Sequence, residues 1–91
     1  MTSSRNDFEI LSFKGLLSQI DIIIETMKAT IYLVERKDPL GLIAIDECEN
    51  KACVILARVS RMLLSEPDHS EIVHCCNTLL TDLKGYRKYY E

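Results

Sequence analysis

Between Phe13 and Val34, apolar side chains recur at alternating steps of four and three residues: Phe13, Leu17, Ile20, Ile24, Met27, Ile31, Val34. The pattern holds for three heptads and keeps one face of an α-helix apolar. Leu16 and Ile23 widen this seam. A second line lies on the opposite side of the same helix: Leu11, Gly15, Ser18, Ile22, Ala29, Leu33. A helix that lids a small core needs a single apolar stripe. This stretch has something to bury on two sides, and the rest of the chain must supply partners for both.

Start and stop signals divide the chain into three helices. Asn6-Asp7-Phe8-Glu9 fits a capping box, so helix 1 is expected from residue 6 to about residue 36, behind a flexible tail at residues 1–5. Asp38-Pro39 is a strong start for helix 2, because Asp accepts from free amides and Pro at the first position lacks only an unsatisfied N–H. Its expected span is 39–65, with seam Ile45, Cys48, Ala52, Ile55, Val59, Met62. Asp46, Glu47 and Glu49 in its first half, and Arg58 and Arg61 in its second, both suit the helix dipole. Ile43 and Val54 lie off that seam, so helix 2 also shows apolar surface on a second side. Pro67 is read as the stop of helix 2, and Asp68-His69-Ser70-Glu71 as the capping box of helix 3. Helix 3 is expected over 69–90, with seam Ile72, Cys76, Leu79, Leu83, Tyr86, Tyr90. These spans give helices of roughly 45, 40 and 33 Å, with the first turns of helix 1, around Phe8 and Leu11, overhanging the others. Two short links make neighbours antiparallel. The expected fold is an all-α, up-down-up, three-helix antiparallel bundle forming one domain over residues 6–91.

Composition narrows the class. At 91 residues the chain can bury roughly 60–65% of its unfolded surface, enough for a core without metal or disulfide staples. An apolar share of 47% with 27% charged residues excludes a disordered chain. A net charge of −3 argues against a general nucleic-acid binder, which neutralises phosphate with basic residues. The apolar run Ile22–Ile24 is too short to span a bilayer, and the N-terminal residues lack the apolar core of a signal peptide. The expectation is a soluble cytoplasmic protein with no membrane association, its four cysteines reduced.

Residues that could carry chemistry are few. Cys48 and Cys53 diverge by about 140° around their helix, and Cys75 and Cys76 by about 100°, so neither pair has the spacing of a zinc site. Small core-filling thiols are the expected role. Glu71-Ile-Val-His74 has the local form of a di-iron carboxylate motif, but that site needs further inward acids, and only Glu25, Glu47 and Glu49 are on offer. No nucleophile–base spacing and no Gly-rich phosphate loop is present. The chain therefore predicts no catalytic residue, no metal and no cofactor.

The functional expectation is a non-enzymatic protein-interaction module: a small regulator, adaptor or chaperone of bacterial or phage type, acting as a helical homodimer and binding a further protein. The expected interface is Leu11, Gly15, Ser18, Ile22, Ala29 and Leu33, where the small residues let another helix approach closely. The alternative is a nucleic-acid-associated regulator using Arg58, Arg61 and the basic-aromatic end Lys84-Gly85-Tyr86-Arg87-Lys88-Tyr89-Tyr90.

Overall fold

The computed structural model describes residues 12–91, and among these it is helical without a strand. Helix α1 spans Phe13–Glu35, α2 spans Pro39–Val59 and α3 spans Glu66–Arg87, followed by a 3₁₀ turn at Lys88–Tyr90. The three helices pack against one another.

Helix α1 starts later than the sequence suggests. Ser12 is in extended conformation (φ −97°, ψ 157°), and its Oγ accepts from the Gly15 amide at 2.9 Å. That hydroxyl serves one of the orphan donors of the first turn, and its extended backbone rules out a helix running unbroken from residue 6 to residue 36. The tail at 1–5, the Asn6–Glu9 capping box, Phe8 and Leu11 lie outside the described residues. The helices contain 23, 21 and 22 residues. They are therefore nearly equal, at about 34, 32 and 33 Å, and not graded in length.

The α1–α2 link is a Schellman motif. The Lys37 amide donates to the Val34 carbonyl at 3.0 Å, and the Asp38 amide donates to Leu33 at 2.9 Å. Lys37 occupies the left-handed position with φ 55°, a place that usually falls to glycine. Helix α2 then begins at once: Asp38 Oδ1 accepts from the Leu40 amide at 2.9 Å, with Pro39 in the first turn. This start agrees with the Asp38-Pro39 signal.

The second link departs from expectation at both ends. Helix α2 stops at Val59 and not at residue 65, because the Arg61 and Met62 amides turn to carbonyls three residues back and Ser60 Oγ donates to the Ala57 carbonyl. Helix α3 starts at Glu66, capped by Ser65, whose Oγ accepts from the Asp68 amide at 3.3 Å. Asp68 is thus inside the helix and is not its cap. Pro67 sits in the first turn of α3, where proline is tolerated, and does not stop α2. The regular α-helix ends at Arg87, and the last three residues of the expected helix tighten to 3₁₀.

The core is built from three 4-3 seams. Helix α1 contributes Leu16, Ile20, Ile23, Met27, Thr30 and Val34; α2 contributes Gly41, Ile45, Cys48, Ala52, Ile55 and Val59. Helix α3 adds Ile72, Cys76, Leu79 and Leu83. On α1 this line is rotated from the expected one. Leu16 and Ile23 are at its centre, while Phe13, Leu17, Ile24 and Ile31 are only half-buried along one edge. The residue that completes it is Thr30, 1% exposed, whose Oγ1 donates to the Thr26 carbonyl at 2.7 Å and so is buried with its hydroxyl satisfied.

Two substitutions test these junctions. Lys37→Gly relieves the left-handed strain, and the gain exceeds the entropy that glycine adds to the unfolded chain. It should stabilise by about 0.5–1 kcal/mol, read as a rise of a few degrees in thermal midpoint. Gly41→Ala places a Cβ against the Tyr90 hydroxyl, which donates to the Asp38 carbonyl at 2.6 Å and reaches the Leu33 carbonyl at 3.4 Å. It should cost about 1 kcal/mol in urea unfolding by displacing that hydroxyl. In a Tyr90→Ala background the cost of the same change should shrink, leaving only the tight contact with the Leu33 Cβ at 3.3 Å.

Candidate interaction surface

The second line of α1 divides between two environments. Gly15 and Leu33 are half-buried, Ser18 and Ala29 are exposed, and Ile22 is 50% exposed. Leu11 lies outside the described residues. Leu33 faces α2, since a Cβ built on Gly41 would meet the Leu33 Cβ at 3.3 Å. Ile22 is eleven residues before Leu33 and lies within about 20° of it around the axis. The line therefore runs along the edge of α1 that borders α2, and its middle is open.

Helix α2 continues this surface. Leu40, Ile43 and Val54 are all at least half exposed, at 59%, 55% and 50%. Ile43 and Val54 are also eleven residues apart and share a side. Val54 shares a shallow groove with Gln19 of α1, which places that side next to α1. Ile22 and Ala29 on one helix and Leu40, Ile43 and Val54 on the other thus leave exposed apolar side chains on the α1–α2 side, with Lys51 and Arg58 beside Val54. Ile43 and Val54 lie off the α2 seam in the sequence, but spacing along one helix does not say which neighbour they adjoin. Their joining depends on the packing of α1 against α2.

Three residues of the C-terminal basic-aromatic stretch, Tyr86, Arg87 and Tyr90, are committed internally. Arg87 Nη2 bridges Asp46 Oδ1 at 2.6 Å and Glu49 Oε1 at 2.5 Å, tying α3 to α2. With side-chain exposures of 39% for Arg87, 61% for Asp46 and 25% for Glu49, the pairs contribute on the order of 0–1 kcal/mol each. Tyr90 is held by the two carbonyls at the α1–α2 link. Tyr86 is half-buried, and burial, with the nearby Asp82 carboxylate, pushes its hydroxyl up. Lys84, Lys88 and Tyr89 remain exposed. The Arg87–Asp46–Glu49 bridge joins residues 38 and 41 positions apart, and no local spacing announces it.

The thiols separate by environment. Cys48 and Cys76 are buried in the seams, Cys75 is intermediate and Cys53 is exposed. Burial pushes the Cys48 thiol up and raises Cys76 from 9.0 to about 11, with Cys75 and Cys53 adding to the shift at Cys76. Glu71 and His74 are both exposed, and among the described residues no three metal-ligating side chains gather. Nor, among the described residues, is any helix long and apolar enough to cross a membrane. Comparison of the chain with protein-family models, with curated proteins and with solved structures gives no match.

Iodoacetamide at pH 8, followed by mass spectrometry, should modify Cys53 first and leave Cys48 and Cys76 protected until the bundle unfolds. Below pH 9 the Cys76 thiol is protonated in both states. Above that, the unfolded chain ionises while the folded one resists, so its contribution to stability falls as pH rises from about 9 to about 11.

Proposed function

We propose that this chain is a non-enzymatic protein-interaction module that pairs with a second copy of itself through the outer face of α1, extended by α2. In this reading it is an up-down-up bundle acting as a small cytoplasmic regulator or adaptor of bacterial or phage type, with a further protein as its target. The observation that carries the proposal is Ile22, half exposed on the α1–α2 side, where Leu40, Ile43 and Val54 of α2 are exposed as well. Several large apolar side chains exposed on one side of a small bundle mark an association site and are an aggregation liability when left bare. The small side chains at Gly15, Ser18 and Ala29 allow a close helix approach, and a two-fold pairing is the commonest closure for such a patch. The up-down-up order is supported by the three residues between α1 and α2, and by Tyr90. Its hydroxyl, just past the end of α3, contacts the last turn of α1 and the cap of α2.

Sedimentation equilibrium at micromolar concentration should return twice the chain mass. Ile22→Lys should return the monomer mass with unchanged helical circular dichroism, because Ile22 is outside the core. A monomeric wild-type chain, or a lysine variant that still dimerises, contradicts the proposal.

A further inference from the structure

The outer strips of α1 and α2 are each close to symmetric about a midpoint. On α2 the exposed residues beside α1 are Ile43, Glu47, Lys51 and Val54, which fall within an arc of about 80°. Ile43 and Val54 flank position 49 at six and five residues, and Glu47 and Lys51 flank it at two. The strip is thus acidic on one side of its midpoint and basic on the other. Glu47 and Lys51 stand four apart, yet among the described residues neither forms an ion pair, whereas Arg87 takes two carboxylates of α2. On α1 the strip is centred on position 24. Ile22 mirrors Thr26, Ser18 mirrors Ala29 to within one residue, and Gly15 mirrors Leu33. The Thr26 Oγ1 donates to the Ile22 carbonyl at 2.9 Å, so its hydroxyl is satisfied within α1.

The two midpoints stand level. Leu33 lies against Gly41, and nine residues back from one and nine on from the other bring position 24 of α1 level with position 50 of α2. The groove that Gln19 shares with Val54 and Ile55 keeps the same register. Position 50 is one residue, or about 1.5 Å, from the midpoint of the α2 strip. A single line across the face, at right angles to the helices, therefore passes over both midpoints. A half-turn about that line lays a second copy on the face with its helices reversed, α1 on α1 and α2 on α2. Building on the self-pairing proposed above, we propose that the two copies meet in this antiparallel arrangement. Glu47 of each copy meets Lys51 of the other, and Ile43 meets Val54. On α1, Ile22 packs over Thr26 of the second copy, and Leu33 and Ala29 lie over its Gly15 and Ser18, bulk against small side chains. The charges left unpaired within the chain are thereby matched twice, once on each side of the axis, as an isologous contact requires. A parallel pair would lay α1 on α2 and leave Glu47 and Lys51 without these partners.

Spin labels on the full chain read the orientation. In a Cys53→Ser, Cys75→Ser background, which keeps only the two buried thiols, Glu25→Cys and Arg36→Cys are labelled separately. The half-turn separates the two copies of position 36 by about 36 Å along the helices and those of position 25 by about 3 Å. The dipolar distance should therefore be long at position 36 and short at position 25. Parallel copies have no such separation, and near-equal distances at the two sites overturn the antiparallel arrangement while self-pairing stands. Charge reversal gives a second reading. Glu47→Lys and Lys51→Glu, each alone, set like charges together and should weaken the dimer at least about tenfold in sedimentation. An equimolar mixture of the two variants should recover native strength as a heterodimer. Single variants that pair as tightly as the native chain, or a mixture that stays weak with helical circular dichroism intact, overturn the arrangement. A monomeric native chain overturns the self-pairing and the arrangement together.

Discussion

The structure depends on three apolar seams of strict four-three spacing meeting along one line. A straight α-helix repeats every 3.6 residues and drifts by about 20° per heptad against a 3.5-residue pattern. Over the six positions from Leu16 to Val34, or from Gly41 to Val59, the drift stays small enough for each stripe to face its neighbours throughout. The seams also differ in bulk. Helix α1 brings Leu16, Ile20, Ile23 and Met27, while α2 brings Gly41, Cys48 and Ala52 and α3 brings Cys76. Large residues on one helix with small ones on its neighbours let the backbones close up at interior density. The buried cysteines act here as volume, and burial of Cys76 keeps its thiol protonated well above neutral pH.

Much of this was legible in the sequence, for identifiable reasons. The seams of α2 and α3 consist almost wholly of apolar residues, so their period could be read directly. The seam of α1 was read one edge off because its sixth member is Thr30, and a hydroxyl does not announce itself as core. Its bond to the Thr26 carbonyl makes the burial possible, and spacing cannot reveal that bond. Helix ends followed the same logic. Asp38 and Pro39 point to one start and were read correctly. Ser65 and Asp68 compete within three residues, and the nearer proline was mistaken for a stop when it belonged to the first turn of α3. Ser12 prevails as the start of α1 through one hydrogen bond to Gly15. The left-handed Lys37 could not be foreseen, because the residue that usually marks that position is absent.

The candidate surface was legible in part, because it depends on which helices adjoin. Ile22 and Ala29 stood out as a second line on α1, and Ile43 and Val54 stood out as surplus on α2. Only the packing of α1 beside α2 puts the two surpluses on one side of the bundle. The same packing withdraws residues that looked available. Leu33 is drawn against Gly41, Arg87 is drawn to Asp46 and Glu49, and Tyr90 caps the carbonyls of the first link. Arg87 and Tyr90 thus fasten the end of α3 to the other helices, while Lys84, Lys88 and Tyr89 stay exposed.

The three outer faces are unequal, and this bears most directly on function. The outer side of α3 is Glu71, His74, Asn77, Thr78, Thr81 and Lys84, a polar surface at ease in water. The outer sides of α1 and α2 hold half-exposed Ile22, Leu40, Ile43 and Val54. A solitary bundle gains nothing from that contrast, since each exposed apolar side chain forgoes roughly 25 cal/mol per Å² of burial. The contrast is what self-association through α1 and α2 would require: one face adhesive, the opposite face wetted.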